Sequence, residues 1–339
     1  MKIGLAYDLK QSVAAAAAAP EDALEEYDSI ETVSLLSAAI ESVGHQPVKL
    51  GGGREFLENI LSERVDFVFN ISEGRGGYRS REAQIPAVLE MLGIPYSGAD
   101  PQTLAVALDK PLTKKIVQLA GVTTPQWRFL SSPGEAKHAD WHGFRFPAFV
   151  KPAFEGSSKG IRLTSTAASP DEVISQVEKL FKSYGQPVIA EEFIDGDEVT
   201  CGVIGNLTGD GVSPLVLPMR IVPRHKSGPF IYSLEVKRDY KKLVDYEFPA
   251  RLPASVIERI KSQALIVFDT LGCRDFTRMD FRIAADGTPY FLEVNPLPGL
   301  SLDSDLFILV TMMGWSHSRL VQTILASALA RYPRLCSTA

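Results

Sequence analysis

The sequence predicts an α/β fold, and three observations carry that expectation. Over the first hundred residues short apolar segments alternate with segments of helical period, the pattern of a parallel sheet with helices on both faces. From residue 144 the pattern changes to strands in a mixed arrangement. Near the C-terminal end two strand-like arms, 278–283 and 290–295, flank Asp286-Gly287, which is a strong hairpin signal.

Residues 3–7 form a short apolar strand. Ile30, Val33, Leu36, Ile40 and Val43 recur at helical spacing, and Gly44 ends that helix. Residues 47–50 make a second strand, and Phe56, Ile60 and Leu61 mark another helix. The third strand, 66–70, is continuously apolar and so suits a buried parallel position. A helix over 83–92 follows, and Ile94-Pro95-Tyr96-Ser97-Gly98 closes the unit. Residues 101–121 read as helix up to Gly121. Beyond them come strands at 144–152 and 161–164, a helix over 171–183 and a strand at 188–191. Strands at 198–205 and 212–221, a helix over 254–271, the hairpin and a last helix over 316–331 complete the chain. The loop 9–28 reads as irregular, and its alanine run 14–19 suits a helical turn or a flexible lid.

At 339 residues the chain is long enough for two or three packed domains. Its 45% hydrophobic and 22% charged content is that of a soluble globular protein. A net charge of −6 leaves no electrostatic footprint for nucleic acid, and the apolar stretch 306–313 is too short to span a membrane. Cys201, Cys273 and Cys336 follow neither zinc spacing nor a disulfide framework, which points to the reducing cytoplasm. The N-terminus reads as a strand, not a signal peptide. His45, His138, His142, His225 and His317 fall in no ligand or triad pattern and read as structural or solvated.

The hairpin carries the sharpest chemistry. It brings Asp280, Glu293 and Asn295 together, three hard oxygen ligands of the kind Mg²⁺ takes alongside phosphate oxygens and water. Arg278 lies two residues before Asp280 and so points to the same strand face. The plain alternative is a solvated, charged hairpin. A second signal is Phe149-Val150-Lys151-Pro152-Ala153-Phe154-Glu155-Gly156-Ser157-Ser158-Lys159-Gly160, a strand ending in lysine followed by a small, polar loop. Backbone N–H groups and two hydroxyls in such a loop can close over phosphate oxygens, with the lysine adding a point charge. Taken alone, it could be an ordinary hairpin turn. Asp109-Lys110-Pro111 and the strand-to-hinge segment 188–198 are further candidates, each with a solvated surface as its plain reading.

These strings resemble the ATP-grasp ligases, most closely the D-alanine–D-alanine ligase branch, and they occur in family order from residue 3 to about 331. The resemblance implies a three-domain ATP-grasp fold: an N-terminal domain over 1–100, a central one over 101–186 and a C-terminal one over 187–339. It implies ATP held between the last two, with two Mg²⁺ ions on Asp280, Glu293 and Asn295. Lys110, Lys151 and Lys237 would reach the phosphates, Ser158 the phosphate loop, and Ser157 the junction of phosphate and substrate. Glu191 and Ile194 would lie at adenine and Glu198 on the ribose hydroxyls. Arg278 and the Gly299 N–H would stabilise the tetrahedral oxyanion. Ser304 would contact the second substrate's carboxylate. The partners implied are a small carboxylate and an amine, amino acids above all, in a cytoplasmic homodimer.

Four positions depart from the family pattern. Residues 70–82 hold no histidine where the ligases have His-Gly. Glu31, nearest to the glutamate that takes the first substrate's amine, sits one place off. Arg238 replaces a loop tyrosine, and Asp305 replaces an apolar residue beside Ser304. We therefore expect an ATP-dependent peptide- or amide-forming ligase whose pair of substrates is not two D-alanines. The alternatives are true D-alanine–D-alanine ligation and a nucleotide-binding regulatory protein without turnover. A Rossmann dehydrogenase is disfavoured, because no G-x-G-x-x-G follows the first strand.

Overall fold

The computed structural model describes residues 1–13, 19–207, 213–225 and 228–336. Most of the alanine run and the start of the strand expected at 212 lie outside the described residues. Three sheets organise the chain. The first is parallel, with β1 (Lys2–Ala6) between β2 (Gln46–Gly51) and β3 (Phe67–Asn70). Tyr96 adds a parallel bridge to Val68, which is how residues 94–98 close the unit. The helix α1 (Ile30–Glu41) starts on Ser29, whose hydroxyl accepts from the Thr32 N–H at 3.2 Å. Its buried face, with Leu36 and Ile40, shares one core with Leu320 and Ile324 from near the C-terminus.

The second sheet has the order β4 (Trp127–Leu130), β7 (Val188–Glu192), β5 (Ala148–Pro152), β6 (Thr166–Ala167), all antiparallel. The third is antiparallel, in the order β10 (Val244–Glu247), β9 (Leu215–Pro223), β8 (Gly196–Ile204), β11 (Phe276–Ala284), β12 (Pro289–Asn295). The site lies between the faces of these two sheets, and the first domain closes one end.

Several expectations need correction. Residues 161–164 form turns, and the ladder resumes only at Thr166. The helix expected over 101–121 is two helices, Pro101–Leu108 and Lys110–Leu119. Asp109 breaks it by capping the second helix, accepting from the Leu112 N–H at 3.1 Å. That break sets Lys110 on the first turn, facing the cleft, where the helix dipole alone would disfavour a cation. The loop 9–28 is anchored: Leu9 bridges Asp28, and the buried Asp22 accepts from the Gly160 N–H at 2.9 Å and the Tyr184 hydroxyl at 2.8 Å. β4, β10 and the helix Asp305–Met312 were not expected. Finally, β7 pairs with β4 and β5, so a boundary at residue 186 would cut a sheet. We place that division after Glu192.

Candidate active site

The hairpin builds the centre. Asp280 lies directly opposite Glu293 in the β11–β12 ladder, and Arg278 opposite Asn295. A bulge after Asp280 shifts the register, so these four polar residues stay grouped at the site end. Like charges facing each other across a strand pair repel. Here cations surround them. Glu293 Oε2 lies 3.7 Å from Lys110 Nζ and 3.6 Å from Lys151 Nζ. Arg278 donates to Asp280 at 3.1 Å, and the Thr200 hydroxyl donates to the other oxygen at 2.7 Å. Burial pushes both carboxyls up. For Glu293 the two lysines outweigh it and hold the group down at about 2, whereas Asp280 stays raised, with Glu293 adding to the burial.

The phosphate-loop candidates meet the same centre. Lys151 is the penultimate residue of β5, and Lys110 donates to the Glu155 carbonyl in the loop that follows. Ser157 and Ser158 take left-handed backbone angles, φ 50° and 59°, uncommon for non-glycine residues and costing roughly 1–3 kcal/mol each. Successive N–H groups in such a turn form an anion-binding concavity. Gly160, at φ 74°, is required: a Cβ there would fall 2.5 Å from the Pro152 ring.

Lys114, which the sequence reading passed over, is fully buried and pairs with Glu191 at 2.9 Å; Lys151 reaches the same carboxylate at 3.3 Å. Glu191 is thus the counter-ion of two lysines, and its side chain is committed to them instead of to a base. Burial lowers Lys110 and Lys114, while Glu191 and Glu293 outweigh burial at Lys151 and raise it. Glu198 pairs with Arg282 at 2.8 Å, and both line the slot beside Ile194, Phe149 and Leu292. Arg282 also went unnoticed in sequence, since alternation on β11 gives no sign of its partner.

Lys237 lies on a short helix, Leu234–Arg238, and reaches the slot beside Arg278. Its side chain has no ion pair among the described residues, and burial with the Arg278 charge lowers it. A second cavity, of about 510 Å³, opens on the far side of Lys237 and Arg278. Ser157, Asn295, Gly299, Ser304, Asp305, Arg238, Glu31 and Glu73 are among its lining. The two cavities meet at Lys237, Arg278 and Asp305.

The departing residues are engaged within the protein. Asp305 is buried and accepts from the Tyr232 hydroxyl at 2.9 Å, with Arg278 at 3.5 Å on its other oxygen. Arg238 turns to the 20–28 loop, where its Nε donates to Glu25 at 3.1 Å. Glu31 is exposed on the first turn of α1. Ser304 caps the helix Asp305–Met312 and its hydroxyl donates to the Ser301 carbonyl at 2.8 Å. Of the histidines, His317 is buried against the Leu300 carbonyl at 2.8 Å, away from the centre.

Asp280, Glu293 and the Asn295 amide form an all-oxygen set that fits a hard divalent cation. Two facing carboxylates, one of them with its pKa raised, are what a cation between them would relieve. Among the described residues no three His, Cys, Asp or Glu side chains gather as a metal site, so Asn295 is needed to complete this one.

The family model for the D-ala D-ala ligase C-terminus matches residues 116–326. The D-alanine–D-alanine ligase of Delftia acidovorans is 34% identical over 296 residues, covering 87% of this chain and 84% of that one. The ligase of the same name from Aquifex aeolicus is 31% identical over 300 residues, covering 88% and 94%. The crystal structure of the Bacillus anthracis D-alanine–D-alanine ligase complexed with ATP superposes with a TM-score of 0.72 at 25% identity, covering 97% of this chain and 98% of that one. The chain belongs to the D-alanine–D-alanine ligase family, ATP-dependent enzymes that form C–N bonds on an ATP-grasp fold.

Proposed function

We propose that this enzyme joins two D-amino acids, D-alanine foremost, using ATP and Mg²⁺ and releasing ADP and phosphate. One observation carries the reading: Lys110 and Lys151 converge on Glu293, opposite Asp280, with Arg278 alongside and Lys237 without an ion pair among the described residues. Such a cation-rich cradle suits a triphosphate whose terminal group is transferred.

Asp280, Glu293 and Asn295 would hold magnesium, which would supply positive charge against the transferring phosphoryl group. Lys110, Lys151 and Lys237 bind phosphate oxygens, and the Ser157–Ser158 turn closes over them. A carboxylate oxygen of the first amino acid attacks the γ-phosphorus, and ADP leaves. The amine of the second attacks the acyl carbon of the mixed anhydride. Arg278 and the Gly299 N–H hold the oxyanion, phosphate departs, and the amine's proton passes to solvent. Ile194 and Glu198 line the nucleoside end of the slot.

The sequence led us to expect a pair other than two D-alanines. The curated relatives named above, matched over most of both chains, support D-alanine better. The physical reason is that two of the departures are neutralised inside the protein: Arg238 by Glu25, Asp305 by Tyr232 and Arg278. A cytoplasmic homodimer joined through the N-terminal domain belongs to the same reading, and light scattering tests the dimer. No helix among the described residues is long and apolar enough to cross a membrane. Phosphate release from ATP with pools of D- and L-amino acids, products read by mass spectrometry, tests the proposal. A D-alanyl-D-alanine product supports it, and release only with L-amino acids removes the D-amino acid assignment.

A further inference from the structure

Three lysines serve two carboxylates at the phosphate end of the slot. Lys110 pairs with Glu293, and Lys151 lies between Glu293 at 3.6 Å and Glu191 at 3.3 Å. Lys114 pairs with the other oxygen of Glu191 at 2.9 Å. The triphosphate engages Lys110 and Lys151 and leaves Lys114 without a part.

Lys114 sits where no ligand reaches it. It follows Lys110 by one turn of the helix Lys110–Leu119, so the two project from one face. Its side chain is fully buried, and it lines neither the slot nor the cavity of about 510 Å³. Its Nζ also lies 3.5 Å from the Phe291 carbonyl, two residues before Glu293 on β12. The ammonium is therefore held between the two strands that carry the two carboxylates, β7 and β12.

The pairing has a consequence for Lys151. Glu191 is buried and needs a cation at all times. With Lys114 in place, a phosphate can draw Lys151 off Glu191 and leave the carboxylate still paired. Without Lys114, drawing Lys151 off would strand a buried charge, which is strongly unfavourable. Glu191 would then hold Lys151 back from the nucleotide.

Resting on the nucleotide site of the ligase reading above, we propose that Lys114 is a positioning residue for ATP. It is the standing counter-ion of Glu191 and so releases Lys151 to the phosphates. It acts through Glu191 and Lys151 and touches no substrate itself.

The test is calorimetry of ADP and a non-hydrolysable ATP analogue, with adenosine as competitor. The proteins are wild type, Lys114→Met, Glu191→Gln and the double variant, and phosphate release with D-alanine is followed in parallel. We expect Lys114→Met to weaken ADP and the analogue by about tenfold to a hundredfold. Half-saturation for ATP should rise alike, and that for D-alanine should stay within about threefold. Adenosine, which reaches only the nucleoside end, should compete as it does in wild type. Added to Glu191→Gln, the same substitution should weaken the nucleotides by less than about threefold, because no carboxylate remains to hold Lys151. Unchanged nucleotide affinity in folded Lys114→Met overturns the assignment alone. So does an equal loss in both backgrounds, or a matching loss of adenosine, since either makes Lys114 a packing residue. Wild type that binds nucleotide but releases no phosphate with any amino acid overturns the ligase reading and leaves the assignment standing. Wild type that binds no nucleotide overturns both. If Lys114→Met does not fold, Lys114→Gln, which keeps a donor without the charge, is judged by the same outcomes.

Discussion

The two walls of the cleft are charged in opposite senses. On the strand wall, lysines and arginine crowd Asp280, Glu293 and Glu191, and Lys237 is left without a partner among the described residues. On the loop wall, Arg81 and Lys159 are consumed by Glu26 and Glu155, and Glu73, Glu82 and Asp28 are left without a hydrogen bond or ion pair to their carboxylates among the described residues. One wall is short of an anion and the other of a cation. A nucleotide phosphate answers the first and an amino acid's ammonium the second, so the unmet charges sketch the two kinds of substrate before either is bound.

The largest expected effect breaks the strand wall. Glu293→Gln removes the carboxylate that two lysines approach and that we propose as a metal ligand. We expect phosphate release to fall by at least about 10³-fold, with nucleotide binding partly retained because the Glu198 end of the slot is untouched. Steady-state turnover with calorimetry of a non-hydrolysable ATP analogue checks both halves, and near-normal turnover would remove Glu293 from the metal set. Lys237→Met comes next, with kcat lowered about 10²-fold and a smaller change in half-saturation for D-alanine. An effect confined to half-saturation would mean that Lys237 acts only in binding.

What sequence could show, and what it could not, follows the same division. Arg278, Asp280, Glu293 and Asn295 share a hairpin, so alternation and one Asp-Gly turn were enough to place them together. Helix 254–271 was legible to the residue from its period. The loop wall was not, because its partners lie far apart in the chain: Glu26 with Arg81, Asp22 with Gly160 and Tyr184, Asp8 with Gly74. No local pattern announces a buried ion pair over such separations. Lys114 and Arg282 were missed for the same reason. The short strand β10 was missed because its four residues pair only with one edge.

The walls should also separate by pH. Burial, with Asp8 adding to it, raises Asp28 to about 7, and burial raises Glu82 to about 7. Between their unfolded values near 4 and about 7 the folded state holds protons the unfolded state has lost, so stability falls as pH rises through that window. Glu293, held down at about 2, works the other way: its stabilisation is present above about 4.5 and lost as pH falls towards 2. Thermal midpoints of ligand-free wild type and Asp28→Asn at pH 5 and 7.5 test this. The variant should lose less stability over that interval, and parallel curves would mean that Asp28 titrates normally.

Asp305→Leu sharpens the comparison where the walls meet. It frees Arg278 and the hydroxyls of Tyr232 and Tyr246, both of which donate to Asp305, so we expect kcat to fall about tenfold and choice of the second amino acid to shift, with ATP affinity held. Equal losses for all second substrates would confine Asp305 to positioning Arg278. The smallest effect should come from Arg238→Ala. Its pairs with Glu25 and Glu21 are partly exposed and contribute no more than about 1 kcal/mol, so turnover should change by less than about fivefold.

The central claim, that this cleft transfers a γ-phosphoryl group to a D-amino acid carboxylate and then joins it to an amine, is met most directly by product stoichiometry. Wild type is incubated with ATP, Mg²⁺ and D-alanine, and nucleotide, phosphate and dipeptide are counted in one reaction. The account predicts ADP, phosphate and D-alanyl-D-alanine in equal amounts, none of them formed without the amino acid. AMP with pyrophosphate, or ADP formed at the same rate without any amino acid, would contradict it.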